Sequence, residues 1–183
     1  MENGKLTLIL GCMFSGKSTE LIRMIRRYRS IDKKVMVIKH SIDRRYDSSH
    51  VTSHDQEKIE SIMTTNLENI IGHSEFKDAD VIVIEEAQFF NKLYDYVLYW
   101  VDVLKKNVIL AGLDGDSNRQ PFLDGELLRL IPLSDEIVKL TGYCQVCHGE
   151  AIFTKRINTD TTDQIVVGSK DIYIPVCRKH YLE

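Results

Sequence analysis

Apolar residues are distributed along this chain in two rhythms. Five short runs are almost wholly apolar, at residues 5–10, 35–39, 81–84, 108–112 and 137–140. Runs of this length, rich in Val, Ile and Leu, predict strands buried on both faces. Between them, apolar positions recur at helical spacing. Leu21, Ile22, Ile25 and Tyr28 share one face of a helix predicted over 18–30, with Arg23, Arg26, Arg27 and Arg29 largely off it. A second amphipathic helix is predicted over 91–106, with Leu93, Val97, Trp100, Val101 and Leu104 inward, Asn91 as its cap and Asn107 at its end. Residues 67–71 predict a short helix. The polar stretch 40–56, with Asp43, Arg44, Arg45, His50, His54 and Asp55, reads as loop. Strands alternating with helices predict an α/β fold, a parallel sheet flanked by helices. The expected division is a main domain at 1–141 and a small segment at 142–183.

Composition narrows the picture. The chain has 183 residues, a net charge of −3 and 43% hydrophobic residues. That is enough for one well-filled core with room for an appendage. No apolar run is long enough to span a membrane, and no signal-peptide pattern opens the chain. The acidic balance and the lack of aromatic–basic interleaving argue against direct nucleic-acid binding. The helix arginines therefore read as a solvated or subunit-contact face rather than a nucleic-acid patch. Three of the four cysteines look like metal ligands, which suits a reducing, cytoplasmic setting.

The chemistry starts at residues 11–18, Gly-Cys-Met-Phe-Ser-Gly-Lys-Ser. They fit the phosphate-binding loop, placed where it must be, between a strand and a helix. The backbone of Gly11, Cys12, Met13, Phe14, Ser15 and Gly16 would cradle ATP phosphates. Lys17 would meet the outer phosphates, and the Ser18 hydroxyl would hold magnesium. Cys12 reads as a spectator thiol rather than a reactive one. A second strand ends in Glu85 and Glu86. In phosphate-loop enzymes such a strand end supplies an acidic group near the magnesium. Alternation along a strand would turn the two carboxylates to opposite sides, one toward the metal and one toward a second substrate. Cys144-x-x-Cys147 and Cys177-x-x-His180 form two ligand pairs for a closed, structural zinc site. The 29 residues between Cys147 and Cys177 make a loop too long for a simple zinc ribbon, which suggests that the loop has a task.

Several motifs occur together and in order: Gly11 to Ser18 followed by Thr19-Glu20-Leu21; Thr52-x-His54-Asp55; Glu86-Ala87-Gln88-Phe89-Phe90; Leu113-Asp114-Gly115; Lys139-Leu140; and the four zinc ligands. This combination resembles the cytosolic and viral (type II) thymidine kinases, which pair a phosphate-loop core with a zinc-bearing lasso. The resemblance spans residues 4–181. It implies transfer of the ATP γ-phosphate to the 5′-hydroxyl of thymidine, in nucleotide salvage for DNA synthesis. It places Glu86 at the catalytic base, Lys17 and Ser18 at the ATP and magnesium positions, and Arg45 at an arginine reaching the phosphates. Asp43 matches an acidic position that organises the site. Met13, Phe89, Leu113, Phe122 and Tyr173 match residues enclosing the base, and Thr154, Val166 and Gly168 lie on the lasso that closes over the nucleoside. The resemblance further implies a homotetramer inhibited by thymidine triphosphate.

Four positions depart from the family pattern. Glu85 stands where Asp is more common, lengthening the reach to magnesium by one methylene. Cys12 replaces a common Pro, and His180 replaces a Cys ligand conservatively. Ser117, within Leu113-Asp-Gly-Asp-Ser-Asn-Arg, replaces a phenylalanine that walls the base pocket. The expected result is a roomier, wetter pocket that accepts deoxyuridine beside thymidine.

Overall fold

A computed structural model describes residues 3–42, 50–52, 58–157, 163–166, 168 and 171–183. Six strands form the central sheet: β1 (Leu6–Gly11), β2 (Val35–His40), β5 (Ile62–Thr64), β6 (Val81–Glu85), β7 (Asn107–Gly112) and β8 (Glu136–Leu140). All pair in parallel, in the order β5-β2-β6-β7-β1-β8. The apolar runs follow from that position. Each central strand is covered on both faces, so its two alternating sets of side chains enter two cores. Leu6, Leu8 and Leu10 join Ile82, Ile84, Val108 and Leu110 in one core, closed by Phe76, Phe90, Leu93 and Trp100. Ile9, Val83 and Ile109 face the other, closed by Leu21, Ile22, Met24 and Ile25 of α1 (Lys17–Arg29).

Some expectations need correction. The stretch 40–56 is not loop throughout, because β3 (His50–Thr52) pairs antiparallel with β4 (Lys58–Glu60). Three-residue strands are too short to show a period. The same holds for β5, which adds an edge strand unforeseen in the sequence. Residues 67–71 give α2 (Glu68–Ile71), followed by α3 (Ser74–Asp78). The helix expected over 91–106 begins as α4 (Leu93–Leu98) and widens into a π-turn over Tyr99–Val103. Lys92 precedes it with φ 55, so Asn91 does not cap it. The wide turn, in which the Leu104 N–H reaches the Tyr99 carbonyl at 3.1 Å, rotates Leu104 off the inward face. Leu104 is 37% exposed, whereas Trp100 is fully buried against Phe76, with ring centroids 5.2 Å apart.

After β8 the chain leaves the sheet. Residues β9 (Gly142–Tyr143) and β10 (Glu150–Ala151) form one small hairpin, and β11 (Phe153–Arg156) pairs with β12 (Tyr173–Val176) in another. Helix α5 (Arg178–Leu182) follows. Cys144, Ala151 and Val176 form a third, separate core there. Among the described residues no helix is long and apolar enough to cross a membrane.

Candidate active site

The strand order places the carboxyl ends of β1, β6 and β7 side by side. In open parallel sheets, ligands gather at such ends, near the point where connections diverge. One cavity opens here, and its wall includes Met13 to Thr19, Glu85, Glu86, Phe89, Leu113, Ser117 and Phe122. Thr154, Val166, Gly168 and Tyr173 complete it from the C-terminal segment. The fold thus gathers almost every described residue that the sequence nominated for ATP, magnesium, nucleoside or catalysis. Gly11 and Cys12 lie at the base of the phosphate loop, outside this lining. Asp43 and Arg45 lie outside the described residues, as do His54 and Asp55.

The phosphate loop turns on Gly16. Its φ of 86° is left-handed, and it directly precedes α1, whose first residues Lys17, Ser18 and Thr19 line the cavity. Lys17 folds back over the loop, donating from Nζ to the Cys12 carbonyl at 2.6 Å. The Ser15 hydroxyl donates to the same carbonyl at 2.8 Å. The C-terminal segment grips the loop from outside: the Met13 N–H donates to Thr154 Oγ1 at 3.0 Å, and Cys12 Sγ to the Ala151 carbonyl at 3.5 Å. Burial pushes the Cys12 thiol up, against the opposing pull of Lys17. A thiol so held is no nucleophile at neutral pH, in keeping with a spectator.

Ser18 donates to Glu85 Oε1 at 2.6 Å, which brings hydroxyl and carboxylate to the same spot. Lys39, 2% exposed on the neighbouring strand and in register with Glu85, places its Nζ 3.8 Å from Oε2. Glu86 parts from Glu85 for a reason other than strand alternation. The strand ends at Glu85, and Glu86 takes a left-handed φ of 54°. That conformation costs a non-glycine residue about 1 kcal/mol or more. It turns the Glu86 carboxylate away from Glu85 and toward Gln88, whose Nε2 donates to Oε2 at 2.6 Å.

On that side, Phe89 meets Phe122 edge-on at 5.4 Å between centroids. His40 lies behind, with its ring 4.6 Å from Phe90. Burial holds the His40 imidazole below its ordinary value, with the Glu86 charge opposing. Tyr173 donates from its hydroxyl to the Val166 carbonyl at 3.0 Å and accepts from Arg156 at 3.2 Å. Asp114 and Lys139, from two separate sequence motifs, pair at 2.9 Å.

Sequence reasoning missed Asp116, Gln164, Lys39 and Gln88. Asp116 is buried, and its Oδ1 accepts from the N–H groups of Asn118 and Gln120, both at 2.8 Å. Gln164 donates from Nε2 to Asp116 Oδ2 at 2.8 Å and to the Pro121 carbonyl at 3.0 Å. This ties the lasso to the loop carrying Ser117. The Asp116-to-Asn118 spacing is an Asx-turn signature and was the available clue. Ser117 stands on the cavity wall, and its carbonyl accepts from the Tyr181 hydroxyl at 2.7 Å.

The four predicted zinc ligands converge, with ligand atoms all within 4.8 Å of one another. Cys147 and Cys177 sulfurs lie 3.9 Å apart, and His180 Nδ1 lies 3.2 Å from Cys177 Sγ and 3.6 Å from Cys144 Sγ. A tetrahedral zinc with ordinary bond lengths separates sulfurs by about 3.8 Å and sulfur from nitrogen by about 3.6 Å. The donor set fits that ion. Burial opposes ionisation of Cys144, but hydrogen bonds from the Cys177, Cys147 and Val146 backbone outweigh it and bring the thiol down to about 6.

Comparison with known proteins agrees with this geometry. The family model described as thymidine kinase matches residues 4–181. The chain belongs to the thymidine kinase family. It is 43% identical over 182 residues to thymidine kinase of raccoon poxvirus, covering 100% of this chain and 99% of that protein. It is 42% identical over 183 residues to thymidine kinase a of Arabidopsis thaliana, covering 98% of this chain and 76% of that one. The vaccinia virus (Western Reserve) thymidine kinase is also 42% identical, covering 100% and 99%. Membership makes this chain a kinase, and the thymidine kinase name implies ATP and magnesium chemistry.

Proposed function

We propose that the chain transfers the γ-phosphoryl group of ATP to the 5′-hydroxyl of thymidine, with Glu86 as general base. The observation that carries this reading is one cavity with the phosphate loop on one wall and Glu86 beside an aromatic slot on the other. The loop N–H groups and Lys17 hold the phosphates, with Arg45 assisting. Ser18 and Glu85 would hold magnesium, which would supply positive charge to the phosphoryl oxygens. Lys39 balances the Glu85 charge within the buried site.

Met13, Phe89, Leu113, Phe122 and Tyr173 enclose the base, with Asp43 organising the sugar side. Thr154, Val166 and Gly168 close over the nucleoside and exclude water, which otherwise competes for the phosphoryl group. Glu86 accepts the hydroxyl proton as the oxygen attacks the γ-phosphorus, and the bond from that phosphorus to the β–γ bridging oxygen breaks to release ADP. Cys144, Cys147, Cys177 and His180 hold a structural zinc that pins both ends of the lasso in a domain of residues 142–183, beside the kinase domain of 1–141. The Ser117 wall admits deoxyuridine as well as thymidine. The same reading includes a homotetramer, feedback inhibition by thymidine triphosphate, a role in salvage for DNA synthesis in the cytoplasm, and no direct contact with nucleic acid or membrane.

The test is coupled ADP release with Mg-ATP and each of thymidine, deoxyuridine, deoxycytidine and deoxyguanosine. Turnover confined to thymidine and deoxyuridine supports the reading. Several-thousandfold preference for thymidine over deoxyuridine removes the Ser117 argument. Absence of any nucleoside-dependent turnover removes the whole.

A further inference from the structure

Gln88 is 1% exposed and carries a primary amide with both ends committed. Its Oε1 accepts from the Leu113 N–H at 3.0 Å, and its Nε2 donates to Glu86 Oε2 at 2.6 Å. The orientation is not arbitrary. A backbone N–H can only donate, so Leu113 requires the amide oxygen and turns the NH2 group onto the carboxylate. The backbone makes room for this approach: a Cβ at residue 112 would lie 2.7 Å from Gln88 Oε1, and residue 112 is glycine. The contact also helps to stabilise a left-handed Glu86, whose φ of 54° leaves its side chain aimed by tertiary contacts rather than by a regular element.

From this geometry we propose that Gln88 is a positioning residue for the Glu86 carboxylate. It fixes the rotation of the base and ties it to the Leu113 wall, against which the nucleoside rests. This rests on Glu86 as general base. Among the described residues, the other charged or titratable groups that line the same cavity are Lys17, Lys39, Glu85, Asp116 and Tyr173, with His40 behind.

Gln88→Glu separates positioning from mere packing. It keeps shape and the acceptor for Leu113, and replaces the donor by a second carboxylate. A like charge at hydrogen-bond range opposes ionisation strongly, so the acid limb of the single-turnover pH–rate profile moves up by about one pH unit or more. The rate at pH 7 falls about tenfold or more, while the KM for thymidine changes less than about threefold. Gln88→Met, which removes the donor and also the acceptor for Leu113 without adding charge, gives a smaller shift of the limb and a rate loss of about tenfold. Its limb shift, which loss of the Leu113 contact does not produce, decides the question should Gln88→Glu not fold. Limb and rate unchanged in the folded variants overturn the assignment, because neither an added charge nor a lost donor at residue 88 then reaches the base. Glu86→Gln is measured alongside. Normal turnover there removes the general base and the Gln88 role together. An inactive Glu86→Gln beside unaltered Gln88 variants removes Gln88 alone.

Discussion

Replacing Gln164 by Ala removes the side chain that joins the lasso to the Ser117 loop. Two hydrogen bonds go: one to the Asp116 carboxylate at 2.8 Å and one to the Pro121 carbonyl at 3.0 Å. A bond to a charged acceptor contributes about 1.5–3 kcal/mol, and a neutral one about 0.5–1.5 kcal/mol. Gln164 is exposed, so water replaces part of both contacts, and the total falls below the about 2 kcal/mol to which the two lower ends add. A loss of about 1–1.5 kcal/mol corresponds to roughly a five- to twelvefold weaker closed state. Asp116 keeps its two backbone donors, Asn118 and Gln120, so the pocket loop itself holds its shape. The cost therefore falls on lasso closure over the nucleoside. The expected result is a thymidine KM raised about five- to tenfold, with ATP affinity in the absence of nucleoside unaltered. Steady-state kinetics and calorimetry read both quantities. A thymidine KM within twofold of the parent, in a folded variant, refutes the reasoning.

Other consequences follow from neighbouring contacts. His40 is favoured neutral in the fold by burial, against the field of Glu86, so the unfolded chain binds more protons as pH drops. Its contribution to stability is complete above about pH 6.5 and is lost as pH falls toward the lower folded value. His40→Asn should flatten the melting-temperature slope between pH 7 and 5, and an unchanged slope contradicts this. Stripping zinc should lower the melting temperature and loosen residues 142–183, since structural zinc supplies on the order of 10 kcal/mol of apparent binding energy. Identical melting after verified metal removal runs against a zinc-pinned segment. Ser117→Phe should restore an apolar wall and raise the preference for thymidine over deoxyuridine, by about 1 kcal/mol or roughly fivefold, the scale of one buried methyl group. A preference that stays level would show that Ser117 does not face the base.

The sheet was legible because its strands are buried on both faces. Leu8, Ile82 and Leu110 then read as parts of almost wholly apolar runs. The phosphate loop and zinc ligands were legible because local spacing carries their chemistry. What escaped depends on tertiary context. The turn at Tyr99–Val103 departs from a 3.6 period to seat Trp100, so the projection that faced Leu104 inward failed there. Glu86 and Glu85 diverge through a left-handed residue, and no strand pattern reveals that. Asp116 and Gln164 lie 48 positions apart and meet only because the lasso folds back, while Gln88 is named by the two groups it joins.

The central claim is that Glu86 takes the proton from the attacking hydroxyl. Single-turnover phosphorylation of thymidine by Glu86→Gln, with Mg-ATP and with nucleoside affinity measured separately by calorimetry, tests it most directly. The account predicts thymidine binding close to the parent and a rate lower by roughly 10²–10⁴-fold. Turnover near that of the parent would contradict it.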